Sequence, residues 1–221
     1  MLTSELGKPP AAARAEARAA ATRVAALAAQ APAALATRDA KGAGAGAGSL
    51  RELVQREPLG VVAAISAWNY PLMLGVGSTV PALLAGNAVL YKASEVSPAC
   101  GAAVAAAAHA AGIHPALLCA LPPSRAVGKA LAAQPGLGCV VLRLHMWLIS
   151  FVPLALLTSS LRPRALCFTG SRATGRAVAR AAAATAARSA SGIPPRLLLE
   201  LGGKDGVYVR ADADVERAVR A

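Results

Sequence analysis

From residue 57 onward, short apolar runs alternate with longer helix-like stretches. Val61 to Ser66, VVAAIS, is apolar and partly β-branched and follows Pro58 and Gly60, which predicts a buried parallel strand. Residues 71–85 predict a helix with Pro71 in its first turn and a stop at Gly86 and Asn87. Ala88 to Lys92, AVLYK, predicts a second strand, and Ser97 to Gly112 a helix with Pro98 near its start. Leu117 to Leu121 is a third strand candidate, Gly128 to Ala133 a short helix, Cys139 the start of a fourth strand, and Leu197 to Leu201 a last apolar strand. This alternation predicts βαβ units with right-handed crossovers, hence an α/β fold with a doubly wound, Rossmann-like parallel sheet. Such a fold names no reaction.

Upstream the pattern changes. Residues 9–37 are alanine-rich with Arg and Glu at helical spacings and predict one or two helices despite Pro32. The run KGAGAGAGS at 41–49 reads as a flexible linker. The expected division is therefore a helical segment with a linker over residues 1–50 and a nucleotide-binding α/β domain over 51–221.

Composition modifies this picture in three places. The hydrophobic share of 56% excludes wholesale disorder, but alanine inflates it and aromatics are only 3%, so each residue buries little surface. A net charge of +12 raises the question of nucleic acid. Arg14, Arg18, Arg23, Arg38, Arg176, Arg180 and Arg188 are scattered without interleaved aromatics, however, which points to a solvated basic face with attraction for anionic cofactors. Cys100, Cys119, Cys139 and Cys167 form no CxxC pair, which argues against zinc and for a reduced, cytoplasmic chain. The Ala/Arg-rich opening imitates an organellar transit peptide, although Glu5 and Glu16 count against one. Leu144 to Leu157 is too short for a membrane span and is interrupted by His145 and Pro153.

Several residues sit where chemistry would need them. Asn69 follows the first strand, where its amide would meet a developing oxyanion or, alternatively, cap the helix that begins at Pro71. Lys92 and Glu95 lie just past the second strand, where dinucleotide folds put a polar residue on the ribose; a surface ion pair is the plainer alternative. Gly170, Ser171 and Gly175 form GSxxxG ahead of an Ala/Arg helix, a pattern that lets backbone approach a pyrophosphate at a helix N-terminus. It is not GxGxxG and is weak alone. Gly128 also suits an ordinary turn. Glu200 ends an apolar strand before Gly202 and Gly203, where burial would raise a carboxyl toward general-base range; a solvated charge is the alternative.

Five motifs run in one order: EPLGVV at 57–62, WNYP at 68–71, PALLAGNAVLYKASE at 81–95, CFTGSRATG at 167–175 and LELGGKD at 199–205, preceded by SELGKP at 4–9. Together they resemble the aldehyde dehydrogenase superfamily. That resemblance implies oxidation of an aldehyde with NAD(P)+ and water to a carboxylate, with Asn69 as oxyanion donor and Glu200 as the base that activates water. It also implies cofactor contacts at Ile65, Ser66, Ala67, Trp68, Lys92, Ser94, Glu95, Gly128, Phe168, Gly170, Ser171, Gly175 and Leu201. Glu95 favours NAD, since a 2′-phosphate would meet its charge, while Lys92 leaves NADP possible. An aldehyde is the implied small-molecule partner and a homo-oligomer the implied assembly, with neither nucleic acid nor membrane.

The sequence also departs from the family pattern. Ala67 and Ala93 stand where the family commonly has proline. The family's nucleophilic cysteine lies a few tens of residues beyond LELGGK, and no cysteine follows Glu200 here, so the chain is expected to lack the thiolate step and to be inactive, as a cofactor domain without its catalytic domain. A block at about 141–166, VLRLHMWLISFVPLALLTSSLRPRAL, separates a GCV-like strand from CFTGS and reads as an insertion, or alternatively as a new hairpin. The alternative reading is a noncatalytic dinucleotide-binding or interaction fragment.

Overall fold

Val61–Ile65 is buried at all five positions, as a strand covered on both faces must be, and it forms the centre of the sheet. The structure is a computed structural model that describes residues 1–39, 53–133, 165–186, 196–202, 210 and 212–216. The elements are α1 (Leu2–Leu6), α2 (Pro10–Leu35), β1 (Arg38–Asp39), β2 (Leu53–Val54), β3 (Val61–Ile65), α3 (Pro71–Leu84), β4 (Ala88–Lys92), α4 (Pro98–Ala110), β5 (Leu118–Leu121), α5 (Arg125–Ala132), β6 (Ala165–Gly170), α6 (Arg172–Ala186) and β7 (Arg196–Leu201). β1 and β2 pair antiparallel; the other five strands form a parallel sheet in the order β5-β4-β3-β6-β7.

Alternate residues of β3 serve opposite faces, as the two-residue period of a strand requires. Ala63 and Ile65 pack with Leu166, Phe168, Leu131 and Val178, which brings α5 and α6 onto one face. Ala64 packs with Val89, Tyr91, Val104 and Leu118, with Leu72 and Val76 against them, so α3 and α4 cover the other. Helices on both faces of a parallel sheet make the three-layer α/β arrangement that the strand–helix alternation predicts. Alanines at the two central positions, both fully buried, let the helical layers sit close.

The stop predicted after α3 has a clear physical basis. Gly86 adopts φ 80°, the left-handed conformation that ends a helix at little cost for glycine. Asn87 is 95% buried: its side-chain N–H donates to the Ala82 carbonyl (2.9 Å) and its Oδ1 accepts from the Gly60 N–H (3.0 Å), tying the end of α3 to the entrance of β3.

Elsewhere the boundaries move. α5 starts at Arg125 rather than Gly128, because Ser124 caps it by accepting the Val127 N–H at 3.2 Å. Residues 10–35 form a single helix that runs through Pro32. Ala165 and Leu166, at the end of the block read as an insertion, belong to β6 and pair with Val62 and Ala63. The 41–49 linker and the expected strand from Cys139 lie outside the described residues. The β1–β2 pair, Arg38 opposite Val54 and Asp39 opposite Leu53, has no counterpart in the sequence expectation. Among the described residues no helix is long and apolar enough to cross a membrane.

Candidate functional site

The chain runs from β3 outward through β4 to β5 and then returns to the opposite side of β3 as β6. In open parallel sheets the crevice outside the carboxyl ends of the strands at such a reversal is where ligands bind. Here those strands are β3 and β6, with Ile65 in register with Phe168. Every site residue predicted from the sequence lies in or directly after a strand at this end of the sheet, or on α5 and α6, the helices entered from it.

The segment after β3 is held firmly at one side. Ser66 is buried; its N–H donates to the Lys92 carbonyl (3.1 Å) and its Oγ lies 3.2 Å from the Tyr91 hydroxyl. Burial pushes the Tyr91 phenol above its ordinary pKa, so this pair stays neutral. Ala67 is half-buried, while Trp68, Asn69 and Tyr70 are exposed. α3 takes Tyr70 as its N-cap with no side-chain cap bond, so the capping alternative for Asn69 is not realised. The Asn69 amide carries no hydrogen bond among the described residues, whereas its backbone carbonyl accepts from Lys8 Nζ at 3.0 Å.

After β4, the predicted pair is formed between a buried lysine and an exposed glutamate. Lys92 is 95% buried and its ammonium donates to Glu95 Oε2 at 3.1 Å. Glu95 also accepts from Arg125 Nε at 2.9 Å. The Arg125 guanidinium, the backbone N–H of Glu95 and the Lys92 ammonium together hold the Glu95 carboxyl at a pKa of about 2. Ser94 shapes the turn by accepting the Val96 N–H (3.2 Å). A Cβ at Gly128 would sit 3.8 Å from Lys92 Cε, so α5 runs directly over the lysine stem. Lys92, Glu95 and Gly128 are thus brought together, with Arg125 added; Arg125 was not legible as a site residue because nothing in RAVGK distinguishes it from other scattered arginines.

At β6 the glycines have packing reasons. A Cβ on Gly170 would come within 2.6 Å of the Phe168 ring, and one on Gly175 would collide with Leu201, which fixes how closely α6 approaches β7. Ser171 Oγ accepts the Thr174 N–H (3.2 Å) and lies 2.9 Å from Thr174 Oγ1, so it caps α6. The N–H groups of Arg172 and Ala173 meet no acceptor among the described residues, leaving first-turn donors at the β6 side of the crevice. Glu200 is exposed on β7, the edge strand of the described sheet, where Leu198 is 60% exposed as well; the burial expected of that strand is not found.

Two further glutamates act where the sequence suggested only an untargeted N-terminus. Glu5 accepts the N–H groups of Ala99 (2.7 Å) and Cys100 (3.0 Å), capping α4. Although burial acts to raise its pKa, these bonds hold it below the ordinary value of 4.5. Glu16, buried, accepts the Leu72 N–H (3.0 Å) at the start of α3 and an ion pair from Lys8. Burial and the neighbouring Glu5 push the Cys100 thiol up to about 12, and burial also raises the half-buried Cys167. Among the described residues no cluster of potential ligands could hold a metal ion.

An anionic dinucleotide fits this chemistry. The crevice offers N–H groups at Arg172 and Ala173 that meet no acceptor among the described residues, an ionised Glu95 after β4, and a Gly128 helix with no side chain over Lys92.

The comparisons with known proteins agree on one family. The sequence profile of the aldehyde dehydrogenase family matches residues 1–143 and 154–221, leaving out only ten residues inside the block read as an insertion. Over 165 residues the chain is 36% identical to betaine aldehyde dehydrogenase 2 of Rhizobium meliloti (strain 1021), which covers 75% of this chain and 27% of that protein. An NADP-dependent enzyme of E. coli superposes with a TM-score of 0.73 at 28% identity, over 99% of this chain and 38% of its own. An aldehyde dehydrogenase of Mycobacterium tuberculosis, solved with NAD+, gives 0.67 at 29% identity, over 92% and 34%. The chain therefore spans well under half the length of these relatives. With profile, sequence and fold in agreement, the chain belongs to the aldehyde dehydrogenase family.

Proposed function

We propose that these 221 residues bind a nicotinamide dinucleotide as the cofactor half of an aldehyde-oxidising enzyme. The observation that carries this is the strand-order reversal between β3 and β6, with the predicted residues gathered at its carboxyl end. The adenosine ribose is held by Glu95, oriented by Lys92 and Arg125; the pyrophosphate lies on the α6 N-terminus at Gly170 and Ser171; and the Ile65–Trp68 segment lines the crevice. Gly128 lets α5 lie along the adenine. When bound, the dinucleotide supplies the hydride acceptor. Asn69, with an uncommitted amide, donates to the aldehyde oxygen as negative charge develops on it, and Glu200 takes the proton of the attacking water. NAD is preferred, because an ionised Glu95 repels a 2′-phosphate; Arg125 and Lys92 moderate that preference and leave NADP possible.

None of the described cysteines suits the nucleophile's role. Cys100 is sealed and its thiol pKa is raised, and Cys119 and Cys167 are strand residues of β5 and β6. The 221-residue chain on its own therefore binds cofactor without turning over aldehyde.

Calorimetric titration with NAD+ and NADP+, paired with an NADH absorbance assay over a panel of aldehydes, tests both parts. Saturable binding with NAD+ tighter than NADP+ is expected, with Glu95→Gln weakening NAD+ by roughly tenfold or more through loss of a charged acceptor. No binding of either dinucleotide refutes the cofactor reading, and turnover above background refutes the noncatalytic one.

A further inference from the structure

Lys8 lies far from the crevice in sequence, yet its ammonium is fully committed at its edge. It pairs with Glu16 at 2.5 Å, donates to the Asn69 carbonyl at 3.0 Å, and sits 3.9 Å above the centroid of the Tyr70 ring. Glu16 uses its second carboxylate oxygen to accept the Leu72 N–H at 3.0 Å. Both side chains are shielded, with exposures of 15% and 1%, and the Lys8–Glu16 and Glu16–Leu72 contacts are part-buried, while the Lys8 bond to the Asn69 carbonyl lies at the surface. The two residues thus grip the chain on either side of Pro71: Lys8 holds the carbonyl that enters the turn, and Glu16 holds the first amide that leaves it. Between the grips stand Asn69, Tyr70 and Pro71. Pro71 has no N–H and Tyr70 makes no side-chain cap bond, so the turn has little internal hydrogen bonding of its own.

We propose that Lys8 and Glu16 are positioning residues that fix the 69–72 turn and thereby the direction in which the Asn69 amide projects. The inference rests on the reading of Asn69 as the oxyanion donor, because only then does its direction matter for chemistry. An amide that must lie about 3 Å from a developing charge loses its effect when the backbone beneath it drifts, and a charged clamp of two shielded groups removes that freedom before substrate arrives. Neither residue touches substrate; each acts through Asn69.

The test is hydrogen–deuterium exchange on the full chain without ligand, comparing the unmodified protein with Lys8→Ala, Lys8→Met and Lys8→Arg. Exchange in peptides covering residues 67–74 is expected to accelerate by about tenfold or more in Lys8→Ala and Lys8→Met, while peptides of β3 and β4 keep their rates. Lys8→Arg, which retains charge and donors, restores most of the protection. Lys8→Met decides the matter if Lys8→Ala unfolds, since it keeps the apolar stem over Tyr70. Unchanged exchange at 67–74 in Lys8→Met overturns the proposal, and so does uniform acceleration along the chain. The cofactor reading fails on a different measurement, the NAD+ titration of the unmodified protein, so the two failures are told apart.

Discussion

Gly101→Ala offers a sharp quantitative test of the packing described here. In an exposed helix the change would help, because alanine exceeds glycine in helix propensity by about 1 kcal/mol. At this position a new Cβ would collide with the Ala93 Cβ and lie 3.6 Å from the Ala93 Cα. Neither atom can rotate away, since both belong to the backbone or are fixed to it, and Gly101 and Ala93 are both buried. α4 must therefore shift from the end of β4, at an overpacking cost near the upper end of about 1–3 kcal/mol. Setting the propensity gain against that cost leaves a net loss of about 2 kcal/mol. For a chain of this size that lowers Tm by roughly 4–8 °C. Gly128→Ala is the matched control: its Cβ would meet nothing closer than Lys92 Cε at 3.8 Å, so the same substitution should raise Tm by roughly 2–4 °C. Far-ultraviolet circular dichroism melts of the three proteins measure both shifts. Equal melting temperatures for the two variants, or a more stable Gly101→Ala, would refute the close approach of α4 to the β4 terminus.

Acid should loosen the molecule through two carboxylates. Glu5 and Glu95 both have lowered pKa values, Glu95 to about 2, so the stability they contribute is complete above the ordinary carboxyl value of 4.5 and is lost as pH falls below it. Denaturant midpoints measured from pH 6 to pH 3 should fall less steeply in Glu5→Gln than in the unmodified chain; identical slopes would remove Glu5 from that linkage. Thiol labelling gives a third expectation. Iodoacetamide at neutral pH, followed by peptide mapping, should modify exposed Cys119 well before Cys100, and labelling of Cys100 at the same rate as Cys119 would contradict its sealed position.

Most of the sheet was legible because its signals are local. VVAAIS, AVLYK and the Gly86-Asn87 stop each announce themselves within a few residues, and β3, β4 and the end of α3 fall where those signals predict. The placing of Lys92 and Glu95 was legible through the family motif at 81–95, and Gly128 through the wider resemblance. Three things were not. Ser124, a cap with no glutamate three residues on, moved the start of α5 by three residues from Gly128. Gly170 and Gly175 read as room for a phosphate, and their packing against Phe168 of the same strand and Leu201 of β7 adds a second reason that the motif does not announce. Glu5, Lys8 and Glu16 looked like ordinary polar residues of an alanine-rich opening, because their partners lie 56 to 95 residues away and no periodicity reports that distance.

The Glu5 contact also sets a timetable. Glu5 is made before the amides it caps, Ala99 and Cys100, which follow 94 and 95 positions later. At about 5–20 residues per second, the opening helices emerge roughly 5–20 seconds before the helix they complete exists. During that interval α2, which buries only Glu16 and Ala20 in the finished fold, has almost no apolar face with which to collapse alone. Docking Glu5 on α4 is therefore a long loop closure of the kind that slows folding. A purification tag fused ahead of Met1 would burden that closing step more than its distance from the cofactor crevice suggests.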